Sequence, residues 1–408
     1  MGSTDGRSII KLSIADLMLV ITFWVCLFIV LYTFIGYGIL IYMLAKLAPY
    51  KSVDNIDLQE ENLPAITLFI TAYNEADIID EKMANCLSLT YPSDRLRILW
   101  VIDGSTDHSD TLLRRYPEAQ VIHSPERRGK TAAINHGMQY VTTPFVIFTD
   151  ANCMLNEDAL NQIMRQFQDS SIGCVAGEKR IAFEDEDTIS SKGEGVYWKY
   201  ESFLKKMDFQ YYSTVGAAGE LFAIRTSLFK KMPEDTLLDD FMLSMRIAQK
   251  GYRIAYTPNA YAVERGSFDM HEEGKRKKRI AAGGWQSMRR LLPLLNIFKY
   301  GRLSFQYLSH RVLRWSLAPL ALFTLWPLSL LLGVMDTSQN YVFFVIFGLQ
   351  SICYFCAYIG MLKKSDSKVS SFFYIPYYFI FMNVNALKGI IYLLTNQQKG
   401  SWEKTKRR

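Results

Sequence analysis

Apolar positions along the chain separate into two kinds of pattern. Long unbroken runs lie near the ends, and short runs that alternate with polar turns fill the middle. In residues 17–47 only Lys46 is charged, a run longer than the roughly 20 residues a helix needs to cross the hydrocarbon core. A cleaved signal peptide has a shorter apolar core and a small-residue cleavage site, so this run predicts one retained, tilted membrane helix after an N-terminal segment, 1–16. Three further runs, 315–334, 341–362 and 372–394, predict additional spans. The last contains Pro376, Asn383, Asn385, Lys388 and Gly389, which point to a kinked or re-entrant segment that does not fully cross.

Within 64–290 the apolar runs 66–71, 96–102, 120–123 and 145–149 have strand length, and most precede a polar turn and a helix-like stretch. That alternation predicts an α/β domain with a mostly parallel, Rossmann-type sheet, with ligands beyond the carboxyl ends of the strands. Residues 291–314 read as an interfacial segment and 395–408 as a basic tail. The stretch 283–299, with Arg289 and Arg290, has an amphipathic pattern suited to a membrane surface or to an ordinary domain helix.

Charge then orients the chain. The loop between the second and third runs carries no Lys or Arg, whereas Arg311 and Arg314 precede the second run and Lys363, Lys364 and Lys368 follow the third. The positive-inside tendency places the flanks, and with them the middle domain, in the cytoplasm of a multi-pass protein of the cell (inner) membrane. The tail cations Lys399, Lys404, Lys406, Arg407 and Arg408 fit that side only if the last run is an incomplete crossing. The net charge of +6 gathers near these junctions, as at Lys275 to Arg279, which points to membrane lipids rather than nucleic acid. Six cysteines without metal spacing imply no disulfide framework.

The candidate chemistry lies at the strand ends. Tyr73, Asn74 and Glu75 follow the first strand and Asp103-Gly-Ser-Thr-Asp107 ends the second, a sequence that is also ordinary turn and helix-cap chemistry. Arg127, Arg128, Gly129 and Lys130 precede a helix and could present cations and backbone donors to a diphosphate; a solvated basic loop is the plainer alternative. Asp150-Ala-Asn152 ends the fourth strand, and Asp239-Asp240 sits among Leu237, Leu238, Phe241 and Leu243.

Taken in order, these motifs resemble the family 2 glycosyltransferases, in particular the membrane-embedded branch that includes hyaluronan, cellulose, chitin-oligosaccharide and poly-N-acetylglucosamine synthases. The resemblance covers about 64–290 and the layout of apolar runs around it. It implies a GT-A-like fold and an inverting transfer from a nucleotide-sugar donor, expected to be UDP-linked, to a growing polysaccharide, with export coupled to it. A lipid-linked acceptor is the same-class alternative, and a non-catalytic nucleotide-binding scaffold the different-class one. It also implies nucleotide contacts from Tyr73, Glu75, Asp103, Lys130 and Arg279, and Mg²⁺ or Mn²⁺ at Asp150 and Asn152. Asp240 would be the general base with Asp239 beside it, raising its pKa into a useful range.

Acceptor contacts are implied at Gly219, within Gly216-Ala-Ala-Gly219, where small residues permit close approach. The family's Gln-x-x-Arg-Trp motif is altered here: Arg276 replaces Gln, Arg279 is kept and Ile280 replaces Trp. Trp285 is the substitute platform expected from the sequence, with Trp315 the first candidate from the following span.

Overall fold

The computed structural model describes residues 13–50, 63–182, 189–265, 270–335, 340–363 and 371–395. Most of the N-terminal segment, most of the loop between the second and third apolar runs, Lys364, Lys368 and the basic tail from 396 lie outside the described residues.

The first apolar run forms α1 (Ile14–Leu31), a π-helical turn at Tyr32–Gly36, and α2 (Tyr37–Leu47). Ser13 and Asp16 close a capping box at its start. This single helical rod of 34 residues is roughly 51 Å long at about 1.5 Å per residue, more than a bilayer core requires. The excess has a use: Tyr37, Ile41 and Ala45 pack on Leu204 and Met207, so one face of the lower half of the rod docks on the domain while Ile39, Met43 and Leu47 stay exposed on the other.

The domain then builds β1 (Ile66–Ala72), α3 (Ile79–Leu87), β2 (Leu96–Asp103), α4 (Ser109–Leu113), β3 (Ala119–Ser124), α5 (Lys130–Gly137), β4 (Phe145–Asp150), β5 (Cys153–Leu155) and α6 (Ala159–Gln166). β6 (Ile172–Ala182), α7 (Ile189–Tyr211), β7 (Leu221–Arg225), α8 (Asp239–Gln249) and β8 (Arg253–Arg265) complete it. The sheet order is β3-β2-β1-β4-β7-β6-β8-β5. β3, β2, β1 and β4 are parallel, as the alternation predicts. Beyond β4 the sheet is mixed: β7 runs antiparallel to both β4 and β6, β8 is parallel to β6, and β5 is antiparallel to β8. Alternate residues serve two cores, Leu68, Ile70, Trp100 and Ile102 on one face and Phe69, Leu99 and Val101 on the other.

Helix α9 (Met270–Arg290) is continuous through both the altered motif and the start of the predicted amphipathic stretch. Short turns α10 (Ile297–Tyr300), α11 (Arg302–Tyr307) and α12 (Leu313–Trp315) lead to α13 (Leu317–Val334), α14 (Asn340–Leu362) and α15 (Ser371–Thr395). The segment after α9 faces two ways: Leu291, Leu294, Leu303 and Tyr307 enter the domain core, while Leu292, Ile297 and Phe298 remain exposed.

Among the described residues, four helices are long and apolar enough to cross a membrane. The last is one unbroken helix with Pro376 near its start, rather than a re-entrant hairpin. Asn383 and Asn385 each donate to the carbonyl four residues back, at 2.8 Å, so their amides are satisfied within the helix. α9 packs along α15, with Gly389 against Ala281, so the α/β domain and the last apolar helix are joined directly.

Candidate active site

Register brings the strand ends together. Thr71 pairs with Asp150 and Ala72 with Ile102, so Tyr73, Asp103 and Asp150 emerge at one edge of the sheet. Asn74, at φ 53°, turns the chain sharply; its N–H donates to Ser105 Oγ (2.9 Å) and its Oδ1 accepts from Thr106 N–H (2.8 Å), which ties the first two loops together. Asp103 is buried and accepts from the backbone N–H groups of Arg128 (2.9 Å) and Gly129 (2.7 Å). It therefore anchors the basic loop ahead of α5, and its remaining lone pairs face the same cavity as Tyr73, whose ring lies 3.7 Å beneath the Arg127 guanidinium. Gly104 has φ +64°, and a Cβ there would fall 2.4 Å from Arg127 N, so only glycine fits.

Lys130, the first residue of α5, stands at the centre. Its Nζ is 2.6 Å from Asp150 Oδ1 and 3.8 Å from Asp239 Oδ2. Burial alone would lower its pKa, but Asp150 and Asp239 outweigh that and hold it raised and protonated. A Cβ on Gly219 would lie 3.2 Å from Lys130 Nζ and 3.3 Å from Asp240 Oδ2, so this small residue leaves both groups room.

Asp239 and Asp240 open α8, where the helix N-terminus favours negative charge. Asp240 Oδ1 accepts from Phe241 N–H at 2.7 Å. Burial, reinforced by the charge of Asp239 and partly opposed by Lys130, pushes the Asp240 carboxyl up to about 7. Asp239 Oδ2 is buried and accepts no hydrogen bond among the described residues. Among the described residues no three His, Cys, Asp or Glu side chains form a metal cage. A hard cation sharing one or two protein oxygens with a substrate diphosphate needs no such cage, and Asp150 with Asn152 beside Lys130 fits that kind of site.

The supporting residues are ones the sequence reading missed. Gln286 on α9 accepts from Leu237 N–H (3.0 Å) and donates to the Asp235 carbonyl (2.8 Å), while Arg290 bonds Thr236 Oγ1 (2.9 Å) and Asp235 (2.6 Å). The loop that delivers the acidic pair is thus clamped by the helix strapped to α15. Glu220 joins Lys179 (2.6 Å) and Arg276 (3.0 Å) in a buried ion network, which gives Arg276 a structural position. Lys82, fully buried, donates to the Cys153 carbonyl and braces the Asp150–Cys153 turn.

The strand-end residues, the acidic pair and the Glu220–Arg276 pair line one cavity of about 1340 Å³. It contains Tyr73, Glu75, Asp103, Lys130, Asp150, Asn152, Gly219, Asp239, Asp240 and Arg279 of the residues expected from sequence. Burial lowers the Arg279 pKa, with Arg276 adding to the effect, while the three aspartates Asp239, Asp150 and Asp240 oppose it. Trp285 is the exception: it does not line the cavity, because on α9 it follows Gly284, whose small surface receives the Trp315 ring instead. Trp315 does line it, edge-on to Phe241 at 5.0 Å between centroids.

Residues 67–232 match the model of glycosyl transferase family 2, and the acidic pair lies just beyond the matched segment. Among curated proteins the chain is similar to the poly-beta-1,6-N-acetyl-D-glucosamine synthase of Staphylococcus aureus (strain MSSA476), 28% identical over 217 residues, which is 50% of each chain. It is also similar to that of Staphylococcus epidermidis, 23% identical over 236 residues and 55% of each. The chain spans about half the length of the curated relatives it matches. Among solved structures, the mannosyltransferase PcManGT from Pyrobaculum calidifontis, in complex with GDP-Man and Mn²⁺, shares the fold. The TM-score is 0.68 at 20% identity, over 92% of this chain and 99% of that one.

Proposed function

We propose that this chain is a membrane-integrated, inverting glycosyltransferase. It moves a sugar from a nucleotide-linked donor, UDP-linked in our reading, to a carbohydrate hydroxyl at the cytoplasmic side of the membrane, extending a polysaccharide. The observation that carries the reading is a half-buried carboxylate, Asp240, raised to about 7 in the same cavity as a lysine-centred anion site. The name of the curated relatives supports polymer synthesis and puts N-acetylglucosamine first among donors to try.

In this reading Tyr73, Glu75 and Asp103 hold the nucleoside, and Lys130 and Arg279 meet the diphosphate. Mg²⁺ or Mn²⁺ would be held by Asp150 and Asn152, and when bound it supplies positive charge to the departing diphosphate. A sugar hydroxyl is a poor nucleophile until its proton is taken. Asp240 accepts that proton as the hydroxyl attacks the anomeric carbon from the face opposite the leaving nucleotide, which inverts the configuration. Asp239 keeps the base's pKa near working pH, and Gly219 lets the acceptor approach.

A base with pKa about 7 must be ionised to work, so kcat/KM should rise through pH ~7 and level off above it. Asp239→Asn removes the neighbouring charge that raises Asp240, so the rising limb should move to lower pH. A limb that stays in place in that variant would remove Asp239 from this role.

With Ile280 offering no flat face, Trp315, beside Phe241 and next to the acidic pair's helix, is the cavity aromatic we assign to stacking on the acceptor. Trp315→Ala should raise the acceptor KM by about tenfold, the equivalent of one aromatic stacking contact, and shorten the products. Trp285→Ala should leave product length unchanged. Long products from the Trp315 variant would contradict the assignment.

UDP release by the purified chain across a panel of nucleotide sugars tests the proposal as a whole, against the alternative of a nucleotide-binding scaffold.

A further inference from the structure

The cavity changes character along its length. At the donor end carboxylates predominate. Past the matched Arg276–Glu220 pair it enters a lobe between α7, α12, the N-terminal rod and α15, where Lys205, Lys277, Arg311 and Arg314 line the wall against one carboxylate, Glu201.

The nearby acids are already engaged. Glu201 pairs with both Arg311 and Arg314, Glu273 with Lys277 at 3.1 Å, and Glu178 accepts from the hydroxyls of Tyr256 and Ser202. Lys205 is only 3% exposed, and no carboxylate or hydrogen-bond acceptor reaches its ammonium among the described residues. It rests instead over the rings of Trp198 (5.7 Å) and Tyr256 (5.9 Å). Its ammonium opens onto the cavity, where an anionic group would give it the partner that the described residues do not supply.

The far wall of the lobe is apolar and belongs to candidate membrane helices. Phe34 of the rod and Phe379 of α15 meet edge-to-face at 4.8 Å, with Met382 one turn further along α15. An occupant satisfying both halves has a phosphate beside Lys205 and a hydrocarbon tail that lies along the apolar wall of Phe34, Phe379 and Met382 toward the bilayer. A neutral glycan alone would leave the Lys205 charge unanswered, and a free anion would leave the apolar wall bare.

We propose that this lobe is a binding site for a phosphate-bearing lipid, and that the acceptor sugar presented to Asp240 is carried on such a lipid. The acceptor role rests on the glycosyltransferase reading; the lipid-phosphate site does not.

The test uses the purified full chain in detergent, with saturating UDP to fill the donor end. Three probes are titrated: N-acetylglucosamine linked through a diphosphate to farnesol, the uncharged farnesyl N-acetylglucosaminide, and inorganic diphosphate. The charged lipid should bind at least tenfold more tightly than either of the others. Lys205→Met should lose that advantage, Lys205→Arg should keep most of it, and both should bind UDP as the wild type does. Equal affinity for charged and neutral lipids, or full affinity in Lys205→Met, would overturn the site, and inorganic diphosphate binding as tightly as the charged lipid would overturn the lipid. Selective binding of the charged lipid without UDP release from any donor would support the lipid site and sink the transferase reading.

Discussion

Asp240→Asn is expected to lower kcat by about a thousandfold or more, within the range for loss of a positioned base, while UDP affinity stays within a few-fold of wild type. The substitution keeps the shape and the hydrogen bond from Phe241 N–H, so the acidic loop, clamped by Gln286 and Arg290, has no reason to move. What disappears is the proton acceptor. That loss is about 4 kcal/mol of transition-state stabilisation and none of the donor's ground-state binding. Turnover near wild type in this variant would remove Asp240 from the base role, and a parallel loss of UDP affinity would show that it serves the nucleotide instead.

Asp150→Ala should produce the opposite split. Its carboxylate is both the expected metal contact and the 2.6 Å partner of Lys130. Metal-dependent donor affinity should fall by roughly ten- to a hundredfold or more, as for lost metal-site groups. The freed Lys130 ammonium, still 3.8 Å from Asp239, would retain part of the diphosphate interaction. The residual binding should therefore be insensitive to chelator, whereas wild-type binding should drop to the same level when the metal is removed. Titrating UDP with and without Mn²⁺ on both proteins separates these contributions. Wild-type activity that persists unchanged in chelator would show the metal assignment to be wrong.

Legibility in the sequence followed how local the determining interactions are. β1 to β4 could be read because each is a short apolar run closed by its own turn chemistry, and the parallel register then brings Asp103 and Asp150 to one edge. The antiparallel half, with β7 between β4 and β6, depends on pairings between distant segments that no local pattern encodes. The same reason hides Gln286, Lys82 and Glu220, which act on loops far from them in sequence. Arg311 and Arg314 read as membrane-flanking cations, and both also pair with Glu201 of α7, Arg311 buried and Arg314 half-buried, a contact no local pattern encodes. The N-terminal run carried its length in the sequence but not its division of labour, because docking on Leu204 and Met207 is a tertiary contact. Trp285 and Trp315 were equivalent aromatics on paper; the packing of Trp315 onto Gly284 is what separates them.

Catalysis of sugar transfer by the Asp240 carboxylate is read out by UDP release from the purified chain beside its Asp240→Asn variant. Both are given a panel of nucleotide sugars headed by UDP-N-acetylglucosamine, with lipid-linked and oligosaccharide acceptors and a divalent cation. The account predicts that at least one donor gives acceptor-dependent release in the wild type, and that the variant loses it while still binding UDP. Release no greater than that of the variant for every donor, from a protein that binds UDP normally, would contradict it and leave a nucleotide-binding membrane scaffold.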